Sequence, residues 1–447
     1  MVAAGGAGMS AIATLLAEAG HEVSGSDAVA GENLETLRRT GVAVRVGHHA
    51  DSVIGADLVV VSTAVAAGNV EVEAARAAGI PVLNRRQFLP LMAREQPFVS
   101  VSGTHGKTST TSMLAVALRG AGADVSWLIG ARPEGLGSAA RHRPGPYLVL
   151  EADESDGSFL AGPRRGAVVT NLEADHLEFW GDTAALRQGF VEFVEGTEGP
   201  VVVCGDDPGS ASLASHGSAT ASTRTYGRQP SCDYRIESLE TSVSGSAFRL
   251  CSRFGTQQVV LGVPGSHNAL NAAGALALTA ELGEDLPAAA EALRSHTGVH
   301  RRFERRGSAG GVEVVDDYAH LPTEVSAALR AAADTGPRRL VVVFQPHRYS
   351  RTEALWAQFA PSFDAADVLV LTDIFPAGEA PREGVSGRLV HDAVARRGVV
   401  SPVWAATLPE AAAALGDLLE EGDLLMTVGA GDVREVGDMV LAAREGS

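Results

Sequence analysis

The chain has 447 residues, of which 45% are hydrophobic and 20% charged, and this composition indicates a globular protein with about two to four domains. Its formal net charge of −18 argues against a nucleic acid or an anionic membrane as the main partner. The 3 cysteines are odd in number and lack CxxC spacing, which argues against a disulfide framework or a structural zinc site.

The apolar segments of the chain predict neither membrane insertion nor secretion. No apolar run is long enough to cross a bilayer. The small, apolar N-terminus contains no basic residue before Arg38, which is not typical of a signal peptide. We therefore expect a cytoplasmic protein.

Strand-like runs alternate with alanine-rich helical runs along the chain, which is typical of parallel sheets covered by helices. The expected fold class is α/β, in three blocks that comprise residues 1–95, 96–297 and 298–447. Predicted strands include DLVVVSTAV and IPVLNR in the first block, FVSVSG, YLVLEADESD, AVVTNLEADH and VVVCGDD in the second, and VEVVDDYAH, RLVVVFQPHRY, DVLVLTDIFPAGE and DLLMTVGAGD in the third. Most of them end in polar or glycine residues, and open parallel sheets bind ligands beyond the carboxyl ends of their strands.

The first block opens with a glycine-rich loop, AAGGAGMS, in which Gly5, Gly6 and Gly8 precede Met9 and Ser10. Asp27, in SGSD, follows about 20 residues later, which is near the spacing of the dinucleotide-binding fingerprint. This loop keeps a NAD(P)-binding oxidoreductase open as an alternative, although that reading leaves the other two blocks unexplained.

The second block contains a phosphate-binding pattern, GTHGKTS, directly after the apolar strand FVSV. A glycine turn between a strand and a helix directs backbone N–H groups and the positive helix end at one point, which suits phosphate. Lys107 would reach the β- and γ-phosphates of a nucleotide and the Thr108 hydroxyl would hold Mg²⁺. Of 36 basic residues Lys107 is the only lysine, which suggests a position that the broader fork of arginine cannot serve.

The next two predicted strands end in acids and a histidine. The first carries Glu151, Asp153, Glu154 and Asp156 in EADESD, and the second carries Glu173, Asp175 and His176 in NLEADH. Carboxylate oxygens suit Mg²⁺, and a histidine can complete such a site when phosphates supply further negative charge. Two neighbouring strands that end in this way beside a phosphate loop predict a metal site there.

Eight segments of this chain occur in the order, and at about the spacing, of the motifs of one enzyme family. They are GTHGKTSTTSML, EADESDGSFL, TNLEADHLE, HNALNAAGAL, GVHRRFE, DDYAHLPTE, FQPHRYSRT and GAGD. Over essentially its whole length the chain resembles the Mur ligases, and FQPHRYSRT is similar to the branch of that family that adds L-alanine.

The resemblance implies a reaction and three domains. The reaction would be ATP- and Mg²⁺-dependent ligation of L-alanine to the lactyl carboxylate of UDP-N-acetylmuramate through an acyl phosphate, in peptidoglycan precursor synthesis. A Rossmann-like N-terminal domain would bind the UDP-sugar, a central P-loop ATPase-like domain would bind ATP, and a C-terminal Rossmann-like domain would help to bind the amino acid.

The resemblance also implies roles for individual residues. The expected catalytic residues are Lys107, Glu151, His176 and Arg302, and the expected Mg²⁺ ligands are Thr108, Glu151 and His176. ATP would be bound by Gly103, Thr104, His105, Gly106, Lys107, Thr108, Ser109, Asn268, Asn271, Arg302, Asp317 and His320. The UDP-sugar would be bound by Gly5, Gly6, Gly8, Met9, Ser10 and Asp27, and the amino acid by His347, Arg348 and Arg351.

The chain departs from the family pattern at three places. Ala3 replaces the first glycine of the first loop, and only Met1 and Val2 precede it, so a truncated first strand is expected. Leu321 replaces a second histidine after His320. LEFWGDTAALRQGFVEF contains no lysine that could become carbamylated, as in some related ligases. Two further alternatives are a ligase that recycles a peptide onto the same UDP-sugar and a non-catalytic relative.

Overall fold

The computed structural model describes residues 1–62, 64–217, 223–242 and 244–445. Two compact units make up the chain. The first comprises residues 1–238, 248–260 and 269–296, and the second comprises residues 239–247, 261–268 and 297–447. Among the described helices, none is long and apolar enough to cross a membrane.

The amino-terminal part of the first unit alternates strands with helices, as predicted. Its strands are β1 (Ser24–Asp27), β2 (Ala43–Val46), β3 (Val59–Val61) and β4 (Val82–Asn84), and its helices are α1 (Ala7–Glu18), α2 (Glu32–Arg39), α3 (Val70–Ala77) and α4 (Arg85–Glu95). Strand β1 pairs with β2 and β3 pairs with β4, both in parallel.

The first four residues take the place of a strand between β1 and β3. Val2 forms parallel bridges to Val61 on one side and to Ser26 on the other. Its N–H donates to the Val60 carbonyl at 2.8 Å, and the Ala4 N–H donates to the Ser26 carbonyl at 2.8 Å. The short segment before the glycine loop therefore still joins the two strand pairs and places the loop at their carboxyl ends.

The central segment of the chain forms a sheet of ten strands in the order β14-β13-β12-β11-β10-β9-β5-β8-β6-β7. These strands are β5 (Phe98–Ser102), β6 (Ser126–Leu128), β7 (Ala140–Arg141), β8 (Leu148–Glu151), β9 (Arg164–Val169), β10 (Val201–Cys204), β11 (Thr223–Gly227), β12 (Tyr234–Ser242), β13 (Gly245–Ser252) and β14 (Gly255–Leu261). The helices that follow in the chain are α5 (Lys107–Gly120), α6 (Leu177–Trp180), α7 (Thr183–Glu195), α8 (Pro208–Ala211), α9 (Ser266–Glu281) and α10 (Leu286–Ala292).

Strand β5 lies inside this sheet and is buried along its whole length. It pairs in parallel with β8 on one side and with β9 on the other, so that Val101 lies opposite both Glu151 and Val168. Because parallel strands present their carboxyl ends at one edge, the segments that follow these three strands meet there.

The second unit contains a six-stranded sheet in the order β15-β16-β20-β17-β18-β19. Its strands are β15 (Glu304–Ala309), β16 (Val312–Asp317), β17 (Arg339–Phe344), β18 (Val368–Leu371), β19 (Pro402–Trp404) and β20 (Asp423–Val428). Its helices are α11 (Pro322–Asp334), α12 (Tyr349–Leu355), α13 (Arg388–Arg397), α14 (Leu408–Leu418) and α15 (Arg434–Glu445). All strand pairs are parallel except β15–β16, and separate apolar clusters that include Val342 and Val343 cover the two faces.

Candidate functional site

The phosphate-binding pattern forms a tight loop between β5 and α5. Gly103 has φ 134° and Gly106 has φ 76°, which are backbone conformations that favour glycine. A Cβ on Gly103 would lie 2.1 Å from the Thr170 Oγ1, and one on Gly106 would lie 2.7 Å from the Asn271 Oδ1. The two glycines are therefore required both by backbone conformation and by the close approach of neighbouring side chains.

Residues after β9 hold the loop in this shape. The Asn171 Oδ1 accepts the His105 N–H at 2.7 Å, and the Asn171 carbonyl accepts the Thr104 N–H at 3.2 Å. The Thr104 hydroxyl in turn accepts the Glu173 N–H at 2.9 Å. Sequence reasoning missed Asn171, although its place directly after a predicted strand, in TNLEADH, was a signal that could have identified it.

Lys107 begins α5 and folds back over the loop. Its Nζ donates to the Gly103 carbonyl at 2.7 Å, to the Thr104 carbonyl at 3.2 Å and to both carboxylate oxygens of Glu154 at 2.9 Å. Burial acts to lower the pKa of Lys107, but the carboxylates of Glu154, Asp153 and Glu151 outweigh it and raise that pKa. Lys107 is therefore a largely buried, charged ammonium that lies over the loop between β5 and α5.

Thr108 and Glu151 are brought together beside this loop. The Thr108 hydroxyl donates to the Glu151 Oε1 at 2.9 Å, and the Gly130 N–H donates to the Glu151 Oε2 at 2.6 Å. Ser109, the next predicted residue, is buried in the first turn of α5. A hydroxyl and a carboxylate in contact, next to a phosphate loop, form a donor set that suits Mg²⁺ with water and phosphate as its other ligands.

His176 stands immediately before α6 with φ 53°. Its backbone N–H donates to the Asp175 Oδ1 at 2.9 Å, and its Nε2 lies 3.3 Å from the Asp175 Oδ2. Within the described parts of the chain, no group of three or more His, Cys, Asp or Glu side chains is arranged to hold a metal ion. The geometry thus joins Thr108 to Glu151, and His176 to Asp175.

The two asparagines of α9 have different surroundings. Asn271 is buried against Gly106 of the phosphate loop. Asn268 is also buried, and its Nδ2 donates to the Pro264 carbonyl at 2.7 Å. Asn271 is the asparagine that the first unit places directly at the loop.

The glycine-rich loop at the start of the chain is tied to Asp27. The Gly5 N–H donates to the Asp27 Oδ2 at 2.8 Å, and the Val29 N–H donates to the Asp27 Oδ1 at 3.2 Å. Gly6 caps α1, Met9 is buried in the apolar core, and the Ser10 hydroxyl donates to the Ala7 carbonyl at 3.0 Å. The Asp27 carboxylate therefore stabilises the turn of this loop.

Arg85, at the start of α4, lies beside this glycine-rich loop and was not predicted from the sequence. Its guanidinium covers Gly8, because a Cβ there would lie 3.4 Å from an Nη of Arg85. Its Nε is buried and has no hydrogen-bond partner among the described residues. Burial acts to raise the pKa of Asp153, in the segment after β8, but the charge of Lys107, with a smaller contribution from Arg85, lowers it. An isolated arginine gives no periodic signal, so only its place at the end of the predicted strand IPVLNR could have indicated it.

In the second unit, Arg302, Asp317 and His320 surround the end of β16. Asp317 accepts the N–H groups of Phe303 and Ala319, each at 2.8 Å. Burial raises the pKa of Asp317 to about 6, and the charge of Arg302 opposes that shift. The Arg302 guanidinium lies over the ring of Tyr318, 5.2 Å from its centroid.

His320 and His347 face each other, with ring centroids 5.7 Å apart. The His320 Nδ1 lies 2.9 Å from the Tyr318 carbonyl, which can only accept, and the His347 Nδ1 lies 3.1 Å from a guanidinium nitrogen of Arg351, which can only donate. Burial lowers the pKa of His320 to about 4 and that of His347 to about 3. Both imidazoles are therefore neutral at neutral pH, with opposite tautomers.

Arg348 completes the group of residues predicted to bind the amino acid. Its φ is 68°, and its N–H donates to the Phe375 carbonyl at 2.9 Å. Its Nε is buried without a hydrogen-bond partner in the described parts of the chain. The ring of Phe375 stacks on His347, with centroids 5.8 Å apart. The second unit thus brings His320, His347 and Arg351 together, with Arg348 adjacent in the chain.

A cavity of about 1100 Å³ in the first unit lies away from these groups. Residues such as Glu22, Val23, Asp57 and Leu58, at the amino ends of β1 and β3, line it. The predicted site residues instead follow the carboxyl ends of the strands, where ligands of open parallel sheets bind. We therefore assign the candidate site to the loops and not to this cavity.

Three family models match consecutive segments of the chain. The model described as "Mur ligase family, catalytic domain" matches residues 1–97, the "Mur ligase middle domain" matches residues 101–279, and the "Mur ligase, glutamate ligase domain" matches residues 301–431. The three segments together cover most of the chain.

Named relatives match along nearly the full length. The UDP-N-acetylmuramate--L-alanine ligase of Kineococcus radiotolerans is 47% identical, with 98% of this chain and 94% of that protein aligned. The enzyme of the same name from Solidesulfovibrio magneticus is 42% identical, with 100% and 98% aligned.

Two solved structures share the fold. The UDP-N-acetylmuramate-alanine ligase of Thermotoga maritima is 29% identical with a TM-score of 0.83, covering 100% of this chain and 98% of that one. The murein peptide ligase of Psychrobacter arcticus, 24% identical with a TM-score of 0.71, covers 99% and 97% and is similar in fold. The chain belongs to the Mur ligase family.

Proposed function

We propose that the protein is an ATP-dependent ligase that joins L-alanine to the lactyl carboxylate of UDP-N-acetylmuramate, in the synthesis of peptidoglycan precursors. The observation that carries the proposal is the buried Lys107 ammonium over a glycine loop, next to the Thr108–Glu151 pair. Relatives of the same length at 42–47% identity bear the name of this activity, which supports the choice of substrates.

A carboxylate resists attack by an amine because it is negatively charged and has no good leaving group. Transfer of the γ-phosphoryl group of ATP to the carboxylate yields an acyl phosphate, and the amine of alanine then displaces phosphate from its carbonyl carbon. The protein must therefore position three reactants and neutralise charge around the moving phosphoryl group. The backbone N–H groups at the start of α5 and the Lys107 ammonium are suited to that task.

Thr108 and Glu151 are the residues that would hold Mg²⁺, and we place His176 with them as a further ligand. When bound, the ion would neutralise phosphate charge and orient the phosphates. The oxygen donors of the Thr108–Glu151 pair fit such an ion, because Mg²⁺ in nucleotide sites commonly uses one or two protein oxygens and leaves the other positions to water and phosphate.

The remaining contacts to ATP are assigned to residues of two segments of the chain. We propose that Asn271, which lies against Gly106, contacts the nucleotide directly, together with Asn268 one turn earlier on α9. Asp317 would accept the ribose hydroxyls, and Arg302 would approach the γ-phosphate with His320 beside it.

The amino acid is assigned to His347, Arg348 and Arg351. Two guanidinium groups suit a carboxylate, since each can donate two parallel hydrogen bonds. The buried Nε of Arg348, which has no partner among the described residues, is a donor that such a carboxylate could satisfy. The neutral imidazoles nearby add no positive charge that would repel the amino group of alanine.

The UDP-sugar is assigned to the first loop, with Gly5, Gly6, Gly8, Met9, Ser10 and Asp27 as its residues. Here Met9 and Asp27 would act by shaping the loop, because the first is buried in the core and the second accepts the Gly5 N–H. We add Arg85 to this group, since its guanidinium covers Gly8 and could pair with a diphosphate.

We assign residues 1–95 to UDP-sugar binding, residues 96–297 to ATP binding and residues 298–447 to amino-acid binding. We also propose that the reaction takes place in the cytoplasm, where ATP and UDP-sugars are available. Membership of the Mur ligase family argues against the oxidoreductase alternative. The peptide-adding alternative differs from our proposal in the incoming amine.

The test is to incubate the protein with ATP, Mg²⁺ and UDP-N-acetylmuramate, with either L-alanine or a cell-wall tripeptide, and to identify the products by mass spectrometry. We expect the alanyl amide and ADP in the first mixture and no peptide adduct in the second. Formation of the peptide adduct alone would establish the alternative ligase.

A further inference from the structure

The Lys107 ammonium has no free hydrogen-bonding capacity in this structure. It carries three protons, and its three directions are taken by the Gly103 carbonyl, the Thr104 carbonyl and the Glu154 carboxylate. An oxygen of a nucleotide phosphate can therefore reach Nζ only by replacing one of these acceptors.

Charge decides which acceptor is replaced. The carbonyls of Gly103 and Thr104 belong to the loop that surrounds the phosphates, and they are neutral. The Glu154 carboxylate is an anion and would face the phosphate oxygens across the same ammonium. Like charges at such short range repel strongly in a buried site, so Glu154 is the acceptor that gives way.

The carboxylate of Glu154 is held in place by the protein and is not a loose surface group. Its side chain is 2% exposed, against 14% for Lys107. The Trp180 Nε1 donates to the Glu154 carbonyl at 3.0 Å, and the Asp153 carboxylate accepts the Ser155 hydroxyl at 2.8 Å. These contacts fix the segment after β8 so that Glu154 points at Lys107.

We propose that Glu154 is a built-in competitor of the nucleotide, which occupies Lys107 when the site is empty and is displaced by the β- and γ-phosphates of ATP. The inference rests on the proposed function, in which Lys107 binds those phosphates. Glu154 thereby keeps the ammonium paired and ordered between catalytic cycles, at the cost of a weaker affinity for ATP. This role differs from that of Glu151, which pairs with Thr108.

The test compares Glu154→Gln with the wild-type protein in nucleotide binding, measured by calorimetry with AMP-PNP in the absence of Mg²⁺. Glu192→Gln is the matched control, because it removes one negative charge from an exposed position of the same unit. We expect Glu154→Gln to bind AMP-PNP about five- to tenfold more tightly, since the competing state is lost. AMP, which lacks the β- and γ-phosphates, should bind all three proteins equally.

Unchanged or weaker binding of AMP-PNP by a folded Glu154→Gln variant would overturn the proposal and assign Glu154 to the positioning of Lys107. If that variant does not fold, Glu154→Asp serves instead, because it retains the charge but withdraws the carboxylate by one methylene. We expect tighter AMP-PNP binding there too, and wild-type affinity would overturn the proposal. If the wild-type protein itself does not bind AMP-PNP, the proposed function is contradicted together with this proposal.

Discussion

Replacing Lys107 by arginine tests whether this position requires a compact ammonium and not merely a positive charge. The Lys107 Nζ fits between two carbonyls at 2.7 and 3.2 Å and a carboxylate at 2.9 Å, beside a glycine at which a Cβ could not be accommodated. A planar guanidinium on a longer side chain cannot occupy the same point, because the loop has no room for its width.

The size of the effect follows from the bonds that are lost. A hydrogen bond that involves a charged group contributes about 1.5 to 3 kcal/mol, so misplacement of the Lys107 donor should remove about 3 kcal/mol or more from transition-state stabilisation. Because about 1.4 kcal/mol corresponds to a factor of ten, kcat/KM for ATP should fall about a hundredfold or more. We expect Lys107→Met, which also loses the charge, to be less active still.

The assay is phosphate release under steady-state conditions, with thermal unfolding to show that each variant is folded. Arg119→Lys, on the same helix α5, provides the matched control for an exchange between arginine and lysine. We expect this control to retain activity close to that of the wild type. Activity of Lys107→Arg within about tenfold of the wild type would show instead that a positive charge alone suffices at this position.

Three further substitutions test other parts of the account. Gly103→Ala should destabilise the protein by about 2 to 4 kcal/mol and abolish ATP binding, because its Cβ would clash with Thr170. Gly122→Ala is the control in thermal unfolding, because Gly122 also has a positive φ (98°, against 134° at Gly103) but open space around it. Arg351→Lys should raise KM for L-alanine about tenfold with little change in KM for ATP, because it removes the planar guanidinium while keeping the positive charge. Equal changes in both KM values would contradict the assignment of Arg351 to the amino acid. Burial lowers the pKa of His296 to about 4, so below about pH 6.5 the imidazole stays neutral in the native state while it takes up a proton in the unfolded state. The free energy of unfolding should therefore fall by up to about 1.4 kcal/mol per pH unit as the pH drops from about 6.5 to about 4. Unfolding measured at each pH should show a smaller fall in His296→Gln.

The sequence predicted the parts of the site that depend on local pattern. Gly103, Gly106 and Lys107 follow an apolar strand in a fixed order, and the structure confirms a loop between β5 and α5 there. The neighbourhood of Thr108 and Glu151 was predictable as well, because parallel strands present their carboxyl ends at one edge. The first prediction depends on a short-range sequence pattern, and the second depends on the common edge at which parallel strands end.

Pairings between distant residues were not predictable in the same way. The bond between Lys107 and Glu154 joins side chains 47 positions apart, and EADESD offers several carboxylates that could have taken that place. Strands β12, β13 and β14 were also missed. RIESLETS, within β12, alternates more buried with more exposed residues, but its only apolar side chains are those of Ile236 and Leu239. Its strand character therefore depends on pairing with neighbouring strands.

The decisive measurement is phosphate release from ATP and Mg²⁺ in the presence of UDP-N-acetylmuramate, with and without L-alanine. We expect sustained release that requires both the UDP-sugar and alanine, with one amide formed for each phosphate. Release that is independent of alanine, or ATP binding without any release when both substrates are present, would contradict it.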